Sequence, residues 1–338
     1  MTLRRLPLAI LILACLLPAA VSEAPAQTNT TGVLYALSPA SAFEEGCFDP
    51  CLCIVHYNDG LVGTWRLTPA PPEPQFAVYR IDQISWLVPG LDRRVTGSGT
   101  YRTGGEFART HRLELDLTID DQPPQHFDSG LQLGGAEFPA IALTVSMNNL
   151  VCHDTVFHVN AAPIVPKLVP YGLFGSTYDE GCFGPCDCAV VSRPLLGRFG
   201  LMRLRSDEEG IDYAVLDVRW MRGSPTAVAN DTIPVTGHGI YRTRRGGGIT
   251  TVMPSHRMTL YLSENGQAPV RFDSGIVTGG EHGPGGGPPK RIDIDLAEHG
   301  FACLDRVYSL HARRRTAATA DFGAIDADPA PVPVTPVP

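Results

Sequence analysis

The chain has 338 residues, 43% of them apolar and 18% charged, with a formal net charge of −8. That is enough for about two domains at ~100–200 residues each, with a hydrophobic content ordinary for a folded protein. The acidic balance argues against a nucleic-acid partner, and 35 glycines with 30 prolines point to many turns and few long helices.

Arg4 and Arg5, the apolar run from Leu6 to Leu17, and the small residues Ala20-Val21-Ser22 read as a secretory signal peptide over residues 1–22. Ala24-Pro25-Ala26 offers a second cleavage site. The run is shorter than the ~20 apolar residues that cross a bilayer, and no second stretch reaches that length, so no transmembrane span is expected. Ile12-Leu13-Ala14-Cys15 is an imperfect lipobox. Leu13 and the apolar residues after Cys15 favour simple secretion over a lipid anchor at Cys15. The expected location is secreted, periplasmic or cell-surface. Losing Arg4, Arg5 and no acid takes the net charge from −8 to −10. Asn29-Thr30-Thr31 and Asn230-Asp231-Thr232 are formal glycosylation sequons.

The stretch Glu45-Gly46-Cys47-Phe48-Asp49-Pro50-Cys51-Leu52-Cys53 recurs as Glu180-Gly181-Cys182-Phe183-Gly184-Pro185-Cys186-Asp187-Cys188, an offset of 135 residues. Later segments also recur, which predicts a tandem duplication. Apart from Cys15, the cysteines fall into two matching sets: Cys47, Cys51, Cys53, Cys152 and Cys182, Cys186, Cys188, Cys303. In an exported chain that means two disulfides per repeat. Cys51 and Cys53 are too close along an extended strand to bridge well. The favoured pairing is Cys47–Cys51 with Cys53–Cys152, and Cys182–Cys186 with Cys188–Cys303. A four-cysteine zinc site is the rival. It is set aside because C-x3-C-x-C is not the usual knuckle and exported thiols are oxidised. No metal and no other cofactor is expected.

In chain order, Cys51 to Tyr57 reads as a strand, Asn58-Asp59-Gly60 as a hairpin turn, and Leu61 to Leu67 as the returning strand. Arg193-Pro194 is the matching turn in the second copy. Thr68 to Gln75 reads as a Pro-rich loop. Phe76 to Val88 follows as a strand whose alternation slips by one residue at Asp82-Gln83: Tyr79 and Ile81 share one parity, Ile84, Trp86 and Val88 the other. The second copy slips in the same place, between Val215 and Val218. A one-residue slip predicts a β-bulge or bend. Gly97-Ser98-Gly99 and Gly237-His238-Gly239 leave one face of the next strand bare, which predicts close approach of another segment. His111, Leu113, Leu115, Leu117 and Ile119 alternate with polar residues, as do His256, Met258, Leu260 and Leu262, the pattern of a half-buried strand. Asn265-Gly266 reads as a hairpin turn.

Each repeat thus reads as about eight short strands, with no helical periodicity. The fold class expected is all-β: two tandem homologous antiparallel β-barrel or β-sandwich domains. The expected boundaries are signal peptide 1–22, N-terminal linker 23–32, first β domain 33–162, Pro-rich linker 163–172, second β domain 173–315 and a Pro-rich tail 316–338. Gly279 to Pro289 is a Gly/Pro insertion largely missing from the first copy.

The E-G-C-F-x-P-C-x-C start, the Gly97-Ser98-Gly99-Thr100-Tyr101-Arg102-Thr103 strand, and His111-Arg112-Leu113 with Phe127-Asp128-Ser129-Gly130 resemble uncharacterised exported proteins of environmental bacteria. That resemblance covers both repeats and implies no activity and no site residues. Gly63-Thr64-Trp65 looks like the G-x-W of lipocalin-type barrels, and Gly197-Arg198-Phe199 departs from it. This resemblance speaks for a barrel and names no ligand.

His111 and His256 occupy matching places, as do Asp128 and Asp273, each aspartate followed by a serine (Ser129, Ser274). A His–Asp pair could serve acid–base chemistry or hold a metal. The competing reading makes each histidine a core-edge residue bonded to that aspartate or to backbone, and each Asp-Ser-Gly a turn capped by its carboxylate. Trp65, Trp86 and Trp220 read as core rather than pocket. The preferred function is a non-enzymatic exported protein in binding or cell-surface structure. The alternatives are a hydrolase or isomerase using the His/Asp pairs, and a small-ligand carrier of barrel type. The partner expected is a cell-surface or small-molecule ligand of unstated identity.

Overall fold

The fold is taken from a computed structural model, which describes residues 32–134, 136–184, 186–223, 232–246, 253–280 and 287–315. The expected signal peptide with Cys15, the sequon at Asn29, the first two residues of the sequon at Asn230, part of the Gly/Pro insertion and the Pro-rich tail lie outside them.

The first sheet holds β1 (Val33–Leu37), β2 (Ala42–Phe48), β3 (Tyr57–Gly60), β4 (Val62–Glu73), β5 (Phe76–Val88), β6 (Arg93–Gly104), β7 (Thr110–Ile119), β8 (Gln125–Asp128), β9 (Gln132–Leu133), β10 (Ile141–Ser146) and β11 (Cys152–Pro163). The second holds β12 (Val169–Leu173), β13 (Ser176–Gly181), β14 (Val191–Ser206), β15 (Gly210–Arg222), β16 (Ile233–Arg244), β17 (Ser255–Glu264), β18 (Val270–Asp273), β19 (Val277–Thr278), β20 (Arg291–Ala297) and β21 (Asp305–Arg314). All pairings are antiparallel, and the helical element among the described residues is the single 3-10 turn Pro89–Leu91.

Both sheets close on themselves. In the first, β1 and β2 lie end to end along β11 and pair on their other side with β4 and β3 respectively. The path then runs β4–β5–β6–β7–β8–β10–β11. Counting β1 with β2 and β3 with β4 as single lanes gives an eight-lane up-and-down barrel. In the second, β12 and β13 share one lane between β14 and β21, and β14 to β21 complete the circle. The fold is therefore a barrel in each half rather than a sandwich.

Inward residues follow the period-two pattern. Leu113, Leu115 and Leu117 of β7 are fully buried, while Asp116 is exposed. Trp65, Trp86, Phe127 and Phe157 fill the first interior, with Trp65 and Trp86 centroids 5.4 Å apart. Phe199, Trp220, Phe272 and Tyr308 fill the second. The parity slip is a bulge in both barrels: register shifts between Ile81 and Ile84 and between Val215 and Val218, with Gln83 at φ 54° and Asp217 at φ 52°. Two hairpins also match, with Asp120-Asp121 at the place of Asn265-Gly266, all four at positive φ.

Gly63 explains the G-x-W triplet locally. It lies opposite Trp86 at φ 147°, and a Cβ there would come within 2.7 Å of the Trp86 Cα and 2.9 Å of the indole Cδ1. Gly197 stands in the same relation to Trp220. Only glycine lets the neighbouring indole lie across the strand. Gly99 and Gly239 likewise accommodate Leu115 and Leu260, whose Cδ2 atoms would be 2.7 and 2.8 Å from an added Cβ.

Three expectations need correction. Cys51 to His56 is not a strand, and Asn58-Asp59-Gly60 lies in β3, paired with Glu44, Phe43 and Ala42 instead of turning. Asn58 bonds the Glu44 carboxylate at 2.8 Å, and Asp59 caps the 3-10 turn through the Gly90 N–H at 2.5 Å. Second, β4 runs through the Pro-rich stretch to Glu73, and Pro194 lies inside β14. Beyond Leu67, β4 has no partner on the β1 side, so prolines there remove no ladder bond.

The third correction is the disulfide pairing. The bridges are Cys47–Cys53 with Cys51–Cys152, and Cys182–Cys188 with Cys186–Cys303. The favoured pairing assumed that the chain runs straight on after Cys51. Instead, the Cys51 N–H donates to Phe48 at 3.0 Å and the chain reverses. Phe48 lies opposite Cys152, so the reversal sets Cys51 beside Cys152, with Cα atoms 4.8 Å apart. Cys53 then comes back to Cys47, at 5.3 Å. Four disulfides imply an oxidising compartment. Among the described residues, no helix is long and apolar enough to cross a membrane.

The two barrels touch through outward faces. Leu34 of β1 packs with Met202, Ala214 and Leu216, and the linker residues Ile164 and Leu168 join them. Asp92, just after the 3-10 turn, bonds Arg242 and, at 3.0 Å, Arg257. Arg271 pairs with Asp121.

Candidate functional site

His111 sits on the inner face of β7 and is 4% exposed. Its Nδ1 is 2.6 Å from the Tyr101 hydroxyl on β6, and the two rings stack. Burial, with the Arg109 charge beside it, lowers the pKa of His111. In the second barrel, His256 Nδ1 is 3.0 Å from the Tyr241 hydroxyl.

Asp128 belongs to the other side of the wall. It lies opposite Glu114, whose side chain alternates outward with Arg112. Arg112 grips it with two bonds, Nε at 3.1 Å and Nη2 at 2.7 Å, and the Gly130 N–H donates at 2.8 Å. The Arg112 bond holds the Asp128 carboxyl below the usual carboxylate range. Asp273 repeats this with Arg257 and Gly275, and adds Thr259 at 2.6 Å. Burial alone pushes Asp273 up; the bonds from Thr259 and Arg257 outweigh it and leave the pKa at about 2. Ser129 and Ser274 accept from the Leu113 and Met258 N–H groups and donate to the next glycine carbonyl. The histidine on one strand and the aspartate on the next thus point to opposite faces of the barrel wall and do not meet in either barrel.

Glu114, His126 and Asp128 bring three potential ligand atoms within 4.8 Å of one another on the outer wall. Arg112 already pairs with both carboxylates, at 3.0 Å from Glu114 and 2.7 Å from Asp128, and Arg102 is 3.5 Å from Glu114. The cluster is one part of a lattice of outward arginines and acids.

A pocket of about 510 Å³ opens at one end of the first barrel. Its apolar wall includes Val33, Tyr35, Leu67, Pro69, Tyr79 and Phe138. Phe138 packs on Tyr79 and Tyr101 at 5.1 and 6.1 Å between centroids. Tyr35 lines this pocket, and its hydroxyl has no hydrogen-bond partner among the described residues. In the second barrel, Tyr171 takes the place of Tyr35: each is paired with an aromatic residue on the next lane, Trp65 or Phe199, and with the end of the last strand. Tyr171 stacks on Phe199 at 5.2 Å, and its hydroxyl donates to the carbonyl of Pro289.

The interface between barrels holds residues that sequence reasoning missed. Arg242 is 6% exposed and links both halves, reaching Asp212 with Nε at 2.9 Å, Asp92 with Nη1 and the Pro89 carbonyl with Nη2 at 3.2 Å. Asp212 is 1% exposed, and its burial raises its pKa despite Arg242. His238 is buried between the barrels, stacked on Tyr261 at 5.8 Å and bonded to the Ile84 backbone. Burial, reinforced by Arg66, lowers its pKa to about 4. One signal in the sequence marks the place: His238 stands where the first copy has the exposed Ser98.

No protein-family model, no curated protein and no solved structure matches the chain.

Proposed function

We propose that this is an exported, non-catalytic protein that works by binding or as part of a cell surface, built from two copies of one disulfide-held barrel. The observation that carries the reading is where the candidate catalytic groups are used. In both barrels the histidine is spent on a core tyrosine and the aspartate on an outward arginine. Neither pair has the geometry of an acid–base couple, which needs hydrogen-bond reach to a common reacting atom. The pocket at the end of the first barrel is lined by none of His111, Asp128, His256 or Asp273, which supports the same reading, since a catalytic cleft holds its reacting groups. The four bridges fit export, and the signal-like residues 1–22 supply the route.

The test is to isolate the exported protein and measure its mature N-terminus by mass. His111→Ala and His256→Ala are then compared with wild type for melting temperature and for turnover of a panel of ester, glycoside and phosphate substrates. Lower melting with no turnover in any form is expected. Turnover that disappears with either substitution at unchanged folding would instead make it an enzyme. The open mouth of the first barrel favours a narrower second reading, carriage of a small ligand.

A further inference from the structure

We infer that the mouth of the first barrel is a binding site for a small, neutral, ring-bearing ligand that presents a carbonyl to the Tyr35 hydroxyl. The inference rests on the binding reading above and adds the place and the ligand chemistry. Three observations lead to it.

The first is size and lining. At about 510 Å³ the pocket falls within the range of small-molecule sites, ~300–1,000 Å³. Its walls are aromatic rings, prolines and aliphatic side chains, and no charged side chain lines it. A charged ligand would lose hydration there with nothing to replace it. Flat or compact rings are suited to the faces of Tyr35, Tyr79 and Phe138.

The second is the polar handle that Tyr35 offers, Tyr79 being the other tyrosine in the lining. Burial, with Tyr101 and Tyr79 nearby, raises the Tyr35 pKa, so the hydroxyl stays protonated and can donate. Buried hydroxyls normally find an acceptor.

The third is what the second barrel does at the same place. There the chain supplies the acceptor itself: the Pro289 carbonyl receives the Tyr171 hydroxyl. Pro289 is a ring next to a carbonyl, and it ends the Gly/Pro insertion largely missing from the first copy, at the place where the first copy has Phe138. The second barrel therefore displays, within its own chain, the kind of group the first barrel leaves room for.

Benzophenone and diphenylmethane make a matched probe pair, since they share two rings and differ in the carbonyl. Irradiated with the full-length protein, benzophenone is expected to cross-link to peptides carrying Tyr35, Leu67, Tyr79 or Phe138, and not to those carrying Tyr171. Tyr35→Phe should weaken benzophenone binding about 5–10-fold, the size of one neutral hydrogen bond, and leave diphenylmethane unchanged. Leu67→Trp should abolish both by filling the pocket. Val33→Trp, at a rim position 37% exposed, should weaken both without touching the core. Labelling elsewhere, or equal affinity for both probes in wild type and Tyr35→Phe, would overturn the proposal. So would labelling that appears only after residues 316–338 are deleted, because the chain's own Pro-rich segment would then be the occupant. None of these failures would restore catalysis, so the broader binding reading is judged separately by the turnover assay.

Discussion

The two barrels carry the same outward ladder and use it differently. In the first, Arg102, Arg112 and Asp128 form a lattice on the outer wall, and Arg102 bridges Glu73 and Glu114 at 3.6 and 3.5 Å. In the second, the matching Arg242, Arg257 and Asp273 are turned against the first barrel and close on Asp92. Identical residue types at matching positions thus serve solubility in one copy and docking in the other. What decides between them is burial: a charge pair sealed from water cannot lose one partner cheaply, whereas an exposed pair contributes little.

The largest expected effect concerns the long bridge. Cys51–Cys152 closes a sequence separation of 101 residues and Cys47–Cys53 one of only 6. In the chain-entropy model the former stabilises by about 4.7 kcal/mol. The short loop contributes much less, so replacing Cys51 and Cys152 together by Ser should lower the denaturation midpoint far more than replacing Cys47 and Cys53. Equal losses would mean that the bridges act through native-state strain instead. A non-reducing peptide map should recover Cys51 joined to Cys152 and Cys186 joined to Cys303.

Arg242→Ala against Arg102→Ala tests the ladder directly. Removing Arg242 takes away the close hydrogen-bonded partner of buried Asp212 and leaves it with Arg244 at 3.7 Å, at a loss of about 3 kcal/mol. Removing the matching Arg102 should change stability by about 1 kcal/mol or less. Urea unfolding of the two variants measures the gap, and similar losses would sink the distinction between docked and solvated ladders.

His238 sharpens the contrast through pH. Its folded pKa is about 4, below the ordinary histidine value of 6.5. Between those values the unfolded chain holds a proton that the folded chain does not, so stability rises with pH across that window. The stabilisation is full above pH 6.5 and is lost progressively as pH falls from 6.5 to 4, on the order of 3 kcal/mol in all. The groups facing His238 are Arg66, the Tyr261 ring and the Ile84 backbone. His238→Ser, which installs the residue found in the first copy, should flatten the dependence between pH 4 and 6.5. An unchanged slope in that variant would assign it to other groups.

The sequence was most legible where one strand's own pattern settles its structure. The alternation from His111 to Ile119 and the parity slips at Gln83 and Asp217 are local signals, since each side chain's face follows from its neighbours along the strand. The cysteine pairing was not local: it depended on the chain reversing at Phe48–Cys51, and that reversal displaced both partners. Prolines misled for a related reason. Whether Pro69 or Pro194 breaks a strand depends on which neighbour lies on its N–H side, and that is a property of the sheet. The docking residues were hidden most completely, because Arg242 and Arg102 are the same residue in the same local context. The histidine–aspartate pairing failed on a single residue of parity: Asp128 lies opposite Glu114 and therefore outward, while Leu115 faces Phe127 inside.

The smallest expected effect falls where the barrels agree. Tyr101 bonds His111 in the first and Tyr241 bonds His256 in the second. Tyr101→Phe keeps the ring and removes one neutral bond, so a loss of about 1 kcal/mol is expected. It also frees the His111 ring nitrogen, although burial still opposes its protonation. Tyr241→Phe should behave alike, because this contact faces inward in both copies and the docking of one barrel on the other does not reach it. Thermal melts of the two variants check the equality. A loss several times larger in one barrel than in the other would mean that the histidine–tyrosine pair has a role beyond holding the wall, and would reopen the case for chemistry at that end of the barrel.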